Sequence, residues 1–194
     1  MKLILSSKDF HNEHSRRAID EHLGMPIGQC RVLFFPNEKA TRERIEGGVY
    51  HDRLAAFGFT KENISVFNYY APAAFFHTEY DAIYISGGNT FGTLKRIRAC
   101  KADALIRTLV ARGCVYIGGS AGAHIPSADL RHVLRYDRDP CGLEDLSGLG
   151  LFEGILICHF TEERRAHVEE LQATSPYPVT ALTDEEFMVI SAAD

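Results

Sequence analysis

Short apolar runs alternate with stretches of helical periodicity along nearly the whole chain. Lys2–Leu5 (KLIL), Arg31–Phe35 (RVLFF), Ala82–Ser86 (AIYIS), Val115–Ile117 (VYI) and Ile155–Cys158 (ILIC) read as strands, with Ser65–Asn68, Val179–Leu182 and Met188–Ile190 as weaker or shorter ones. Helices are predicted at His14–Leu23, Thr41–Phe57, Thr90–Ala99, Lys101–Arg112 and Glu162–Leu171. Ala18, Ile19 and Leu23 fall at helical spacing in the first, and Ala104, Leu105, Leu109 and Val110 share one side of the fourth. Gly24 and Gly113 stand just past two helix ends as stop signals. Gly47-Gly48 weaken the second helix by about 1 kcal/mol each relative to alanine.

Strands with no polar alternation are what a sheet covered on both faces requires. The β-α-β order implies parallel pairing through right-handed crossovers. The fold predicted is therefore α/β, a mostly parallel sheet with helices on both faces, in a single domain over 1–194. One long irregular stretch, Pro126–Gly150, carries Asp129, Asp137, Asp139, Glu144 and Asp145. A loop of that length inside a compact domain is usually functional or mobile.

Composition narrows the function classes. A chain of 194 residues, 45% hydrophobic and 24% charged, is long enough to bury a core without a metal or disulfide staple. The net charge of −5 and the lack of any Lys/Arg stripe argue against a nucleic-acid or anionic-membrane surface. No run approaches the eighteen or so apolar residues of a membrane span, and MKLILSSKDF is too short in its apolar part for a secretory signal. Five cysteines without a C-x-x-C pair fit neither a disulfide framework nor a zinc ribbon. A reducing, cytoplasmic location is expected, with no metal and no organic cofactor.

The chemistry concentrates at strand ends. Gly118-Gly119-Ser120-Ala121-Gly122 follows the strand VYI and precedes a helix-compatible stretch, which is G-x-S-x-G in its meaningful context. A sharp strand-to-helix turn leaves no room for side chains beside the nucleophile and pushes its hydroxyl above the sheet. The same turn aims free helix N–H groups at developing negative charge. A glycine-rich structural turn is the bland alternative. Ser86-Gly87-Gly88-Asn89-Thr90 is a second junction of this type. Turns after neighbouring parallel strands share one sheet edge, so the Gly88 N–H is a candidate second oxyanion donor beside that of Ala121. A phosphate cradle competes there, but neither G-K-[ST] nor G-x-G-x-x-G is present. Asn89 or Thr90 can serve as a helix N-cap at the same time.

Of nine histidines, His159 is best placed as the base, at the end of ILIC on that same edge. His124 competes, because four residues past Ser120 a helical side chain leans back toward the nucleophile, although Pro126 makes a long helix there unfavourable. Cys158 reads as strand packing. The third member is expected among Asp184, Glu185 and Glu186, which follow the strand VTAL, with Asp184 first in line to fix the imidazole tautomer. The other order, Ser then Asp then His, would draw Asp137 or Asp139 from the long loop.

These segments, SGGNTF at 86–91, YIGGSAGAH at 116–124, GLGLFEGILICHF at 148–160 and VTALTD at 179–184, resemble the aspartyl dipeptidase (peptidase E) and cyanophycinase family of serine peptidases. The resemblance implies a fold similar to class I glutamine amidotransferases, with serine at the elbow. It further implies peptidase activity with Ser120 as nucleophile, His159 as base, Asp184 as third member, and Gly88 and Ala121 amides in the oxyanion hole. The dipeptidase branch cleaves after an N-terminal aspartate and recognises its carboxylate with an arginine in the helix region after the catalytic histidine. Arg164, in TEERRAHVEEL, is the preferred match over Arg165, and Asn89 and His124 are further candidate substrate contacts. Two solvated arginines paired with Glu162 or Glu169 are the competing reading.

The sequence departs from the family in three places. His124 stands where a small polar residue such as Asn is expected, the stretch between His159 and the arginines is short, and little chain follows FMVI at the edge expected to carry Asp184. The implied partner is a short peptide, with the chain a monomer or homodimer. An esterase or amidase on the same nucleophile, and a non-catalytic relative that keeps the elbow for packing, are the rival functions.

Overall fold

The computed structural model describes residues 1–191. In chain order its elements are β1 (Lys2–Ser6), α1 (Glu13–His22), β2 (Val32–Phe35), α2 (Arg42–Glu46), α3 (Val49–Ala55), β3 (Ile64–Val66) and β4 (Ala82–Ile85). There follow α4 (Thr90–Ala99), α5 (Ala102–Ala111), β5 (Val115–Gly119), α6 (Ala121–His124), β6 (Ile155–Ile157), α7 (Arg165–Thr174), β7 (Val179–Ala181) and β8 (Phe187–Ser191). Polar caps set several helix starts by satisfying otherwise orphaned N–H groups. Asn12 accepts from Ser15 N, Thr41 from Arg44 N, and Asn89 from Gly92 N.

The main sheet has six strands in the order β3-β2-β4-β5-β1-β8. All its pairings are parallel except β1 with β8, where Lys2 to Ser6 run antiparallel to Ser191 to Phe187. Every residue of β2, β4 and β5 is buried, as expected where both faces are covered. This is the mostly parallel α/β architecture that the alternation of elements predicts.

Two expectations need correction. The predicted helix 41–57 is two helices, α2 and α3, divided at Gly47-Gly48, where Gly48 turns left-handed at φ +82°. The segments ILIC and VTAL do not join the main sheet. They pair with each other in a separate two-stranded parallel sheet, with Ile155 opposite Val179 and Ile157 opposite Ala181.

One contiguous buried cluster joins both sheets, with Leu156, Cys158 and Leu182 packed into the same core as Leu3, Tyr84 and Tyr116. The 126–150 stretch is irregular apart from a 3-10 turn at Arg131–Arg135, and it is strapped to α4. Lys95 Nζ donates to Cys141 O at 2.8 Å, Arg98 Nη1 to Asp145 O at 2.7 Å and Arg98 Nη2 to Ser147 O at 2.8 Å. No helix among the described residues is long and apolar enough to cross a membrane.

Candidate active site

The turn from β5 into α6 places Ser120 at φ +50°, ψ −108°, a conformation that non-glycine residues adopt only where the surroundings enforce it. The enforcing contacts are close. Ser120 N–H donates to Ser6 O at 2.9 Å, and Tyr116 hydroxyl donates to Gly122 O at 2.7 Å. A Cβ at Gly119 would fall 2.4 Å from Asp9 Cα, and one at Gly122 would fall 2.0 Å from Ile85 O. The glycines flanking the serine are therefore demanded by packing against the β1 and β4 ends. Asp9, itself left-handed at φ +46°, is held there by Tyr84 hydroxyl at 2.9 Å and by the Arg53 guanidinium at 2.5 Å.

His159 emerges at the end of β6 and is also left-handed, at φ +56°. Its Nε2 lies 3.0 Å from Ser120 Oγ and its Nδ1 2.5 Å from Asp184 Oδ1. With Nδ1–H donating to the carboxylate, Nε2 carries the lone pair that accepts the serine hydroxyl proton. Asp184 follows β7, and its second oxygen receives Lys8 Nζ at 3.0 Å. Partial burial pushes the Asp184 carboxyl up, but the hydrogen bonds and charges of His159 and Lys8 outweigh it and hold the group below its ordinary range. The competing acids lie elsewhere. Glu185 takes Asn12 Nδ2 at 2.8 Å, and Glu186 takes Thr183 N at 2.7 Å. Asp137 binds Thr90 N at 2.8 Å, while Asp139 closes the turn at Cys141–Leu143.

The N–H groups of Gly88 and Ala121 donate no hydrogen bond among the described residues, so both amides are free to receive an oxyanion. The turn bearing Gly88 is clamped from β2's end, with Asn37 Nδ2 donating to Gly87 O at 2.8 Å and Asn89 N donating to Glu38 Oε2 at 2.9 Å. A cavity of about 150 Å³ opens above these groups, floored by Gly88, Ser120 and His159 and walled by Tyr136, Asp137 and Arg164.

Two candidate substrate contacts take other roles. Asn89 caps α4 through Oδ1, while its Nδ2 donates to Asp137 Oδ1 at 2.6 Å and Arg138 O at 2.8 Å, which leaves its side chain committed to structure. His124 touches the cavity, yet both ring nitrogens are occupied. Nε2 accepts the Cys158 N–H at 3.3 Å, which makes Nδ1 the donor to Thr90 Oγ1 at 3.3 Å. Burial, with smaller contributions from His132, His159 and Arg164, holds its pKa down to about 3, so the ring is neutral and serves as a bracket under His159 rather than as a base. Cys158 is buried and its thiol is pushed far up by desolvation, as strand packing implies.

The two arginines separate. Arg165 forms a two-pronged pair with Glu162 at 2.6 Å on the exposed helix face, which is the solvated arrangement. Arg164 turns into the cavity, where Nη1 donates to Cys158 O at 2.6 Å and the guanidinium stacks 3.9 Å above the Tyr136 ring. It has no carboxylate partner among the described residues. Three contributors escaped the sequence reading: Ser7, Lys8 and Tyr136, whereas Asp137, named there as a possible triad acid, lines the cavity instead. Ser7 and Lys8 directly follow a strand whose end lies at the same edge as the elbow, which is the signal that identifies them. Among the described residues no group of three or more His, Cys, Asp or Glu converges as a metal-ligand set.

Comparison with known proteins identifies a family. The model of peptidase family S51 matches residues 3–194. An uncharacterized peptidase of Listeria monocytogenes serovar 1/2a is 35% identical over 82 residues, 41% of this chain and 40% of that one. The "Probable alpha-aspartyl dipeptidase" of Drosophila melanogaster is 31% identical over 133 residues, 66% of this chain and 53% of that one. Peptidase E of Citrobacter koseri is 34% identical over 106 residues, 50% of this chain and 45% of that one. The matched segments thus span about half or less of these relatives' own lengths. Among solved structures, a candidate peptidase E from Listeria monocytogenes EGD-e superposes with a TM-score of 0.69 at 21% identity, covering 97% of this chain and 93% of that one. A peptidase from an acI-B1 Actinobacterium gives 0.61 at 14% identity, covering 97% and 82%. At these identities the structural likeness speaks for the fold.

Proposed function

The chain belongs to peptidase family S51, and from that premise we propose that it is a serine peptidase that hydrolyses short peptides bearing an N-terminal aspartate. One observation carries the reading. Ser120 Oγ, His159 and Asp184 form an unbroken hydrogen-bonded chain of 3.0 and 2.5 Å, although the three residues come from two different sheets.

In the proposed reaction Ser120 Oγ attacks the scissile carbonyl as His159 Nε2 takes its proton, and Asp184 stabilises the imidazolium. The oxyanion of the tetrahedral intermediate is held by the Gly88 and Ala121 amides, each worth about 10²–10³ in turnover. His159 then gives the proton to the departing amine. Water, deprotonated by the same nitrogen, attacks the acyl-serine and frees both the acid and Ser120.

The cavity supports the substrate class. A space of about 150 Å³ accommodates one small side chain. Its cationic wall, Arg164, suits the β-carboxylate of an aspartate by charge-assisted bonds, and its anionic wall, Asp137, suits the α-ammonium. The relatives named peptidase E and alpha-aspartyl dipeptidase are consistent with this choice. Five free cysteines fit a reducing compartment, and we propose a cytoplasmic location.

The test is a dipeptide panel led by Asp, Glu, Asn and Ala, with Ser120→Ala as the control and a fluorophosphonate probe as an independent report on the hydroxyl. Turnover is expected to favour Asp-led peptides and to vanish with Ser120→Ala along with labelling. Full activity in Ser120→Ala refutes the mechanism. Equal rates across the panel refute the specificity. Esters turned over far better than any peptide point to an esterase, and an unlabelled wild type to a non-catalytic relative.

A further inference from the structure

The segment leaving β1, Ser6-Ser7-Lys8, touches the surroundings of all three triad residues while contributing none of them. Ser6 O accepts the Ser120 N–H at 2.9 Å, and Ser7 N–H donates to Glu186 O at 3.2 Å. The Ser7 hydroxyl is fully buried, donates to Leu182 O at 3.1 Å and accepts the His159 N–H at 2.7 Å. Lys8 Nζ lies 3.0 Å from Asp184 Oδ2, the carboxylate oxygen that His159 leaves free.

The topology explains why such a bracket is needed. β6 and β7, which deliver His159 and Asp184, share no ladder with the sheet that delivers Ser120. No strand register therefore sets the distance between base and nucleophile. His159 is also held in a left-handed conformation at φ +56°, a state that persists only if its backbone is fixed from outside. The Ser7 hydroxyl supplies that fixing on the N–H side, and it ties the 182–186 segment to the same point.

We propose that Ser7 and Lys8 are positioning residues for the triad: Ser7 locks the His159 and Asp184 segments to the nucleophile's sheet, and the Lys8 ammonium on Asp184 sets the basicity of His159. The proposal rests on the triad put forward above. An ammonium on the far oxygen draws carboxylate charge away from the imidazolium and opposes it directly.

Other charged groups face the pair from every side, and each is engaged elsewhere. Glu185 binds Asn12 and Glu186 binds Thr183. Arg164, from the turn before α7, donates to Cys158 O, and His124 of α6 is neutral. Asp137, across the cavity, binds the α4 N-terminus. Lys8 is the cation in direct contact with Asp184.

The experiment compares wild type, Lys8→Met, Lys8→Arg and Ser7→Ala, each checked for cooperative unfolding. The pH dependence of Ser120 labelling by a fluorophosphonate and the NMR titration of the His159 ring are both measured. Lys8→Met is expected to raise the His159 midpoint and the acid limb of labelling by roughly 0.5–1 pH unit, as removal of one charge a few ångströms away implies, whereas Lys8→Arg stays near wild type. Ser7→Ala is expected to slow labelling about 10- to 100-fold at every pH with the limb unmoved, as loosened geometry does. A His159 midpoint in Lys8→Met equal to wild type overturns the charge role, and wild-type labelling by Ser7→Ala overturns the locking role. Because neither NMR readout needs turnover, an unlabelled wild type sinks the peptidase reading while the His159 midpoints still decide the role of Lys8, and hydrogen exchange at the His159 amide, expected to speed up in Ser7→Ala and unchanged if Ser7 locks nothing, decides that of Ser7.

Discussion

Acidification provides a direct test of the bracket formed by His124. The ring meets the cavity on one side and is partly buried, and desolvation holds its pKa down to about 3 from an ordinary value of 6.5. The sign follows from proton counting. Between pH 6.5 and about 3 the unfolded chain binds a proton at this residue that the native ring refuses, so stability present above 6.5 is lost as the pH falls. Each unit is worth about 1.4 kcal/mol, which makes the ceiling about 2.7 kcal/mol between pH 6.5 and 4.5. Contact with cavity water reduces this to about 1–2 kcal/mol. Urea unfolding of wild type and His124→Asn at pH 6.5 and 4.5 reads the difference. The variant is expected to be less stable at pH 6.5, because the amide fills less of the site, but to lose about 1–2 kcal/mol less than wild type on acidification. Carboxyls held below their ordinary range, such as Asp81 and Asp184, lose their contribution in both proteins and cancel. Equal losses in the two proteins across this window refute the assignment of a neutral, partly buried His124.

Two further outcomes separate the roles at the site. Asp184→Asn is expected to lower kcat by about 10²–10⁴ through loss of the tautomer-fixing carboxylate, whereas Glu185→Gln, which alters only the contacts to His11 and Asn12, leaves kcat within about twofold. Steady-state kinetics on an Asp-led dipeptide decides between them, and a Glu185→Gln defect as large as that of Asp184→Asn refutes the choice of acid. Arg164→Met is expected to cost about 10- to 100-fold in kcat/KM on Asp-led peptides, the worth of a charge-assisted pair, and little on Ala-led ones. Equal losses on both substrates show that Arg164 acts through Cys158 O and Tyr136 instead of through a substrate carboxylate.

Local rules read much of this molecule from the chain itself. The apolar runs VLFF, AIYI and VYIGG are strands because nothing in them tolerates water on either face, and each is buried throughout. Gly118 to Gly122 announce the elbow because only hydrogen fits where Asp9 and Ile85 approach, and the positions of His159 and Asp184 follow from their place just beyond apolar runs. What those rules do not carry is which strand pairs with which. ILIC and VTAL have the same apolar character as main-sheet strands, yet they pair only with each other, a choice made by chain-wide packing with no local signature. The same limit separates Arg164 from Arg165. Adjacent and chemically identical, they differ only in that one side chain meets Tyr136 and Cys158 O while the other meets Glu162. Ser7 and Lys8 are ordinary polar residues after a strand until folding brings segments more than 150 positions away onto them. Residue identity and spacing determined the chemistry available to this protein, because they act through nearest neighbours along the chain. Which groups meet was decided by the tertiary structure, because contacts between distant segments depend on the packing of the whole.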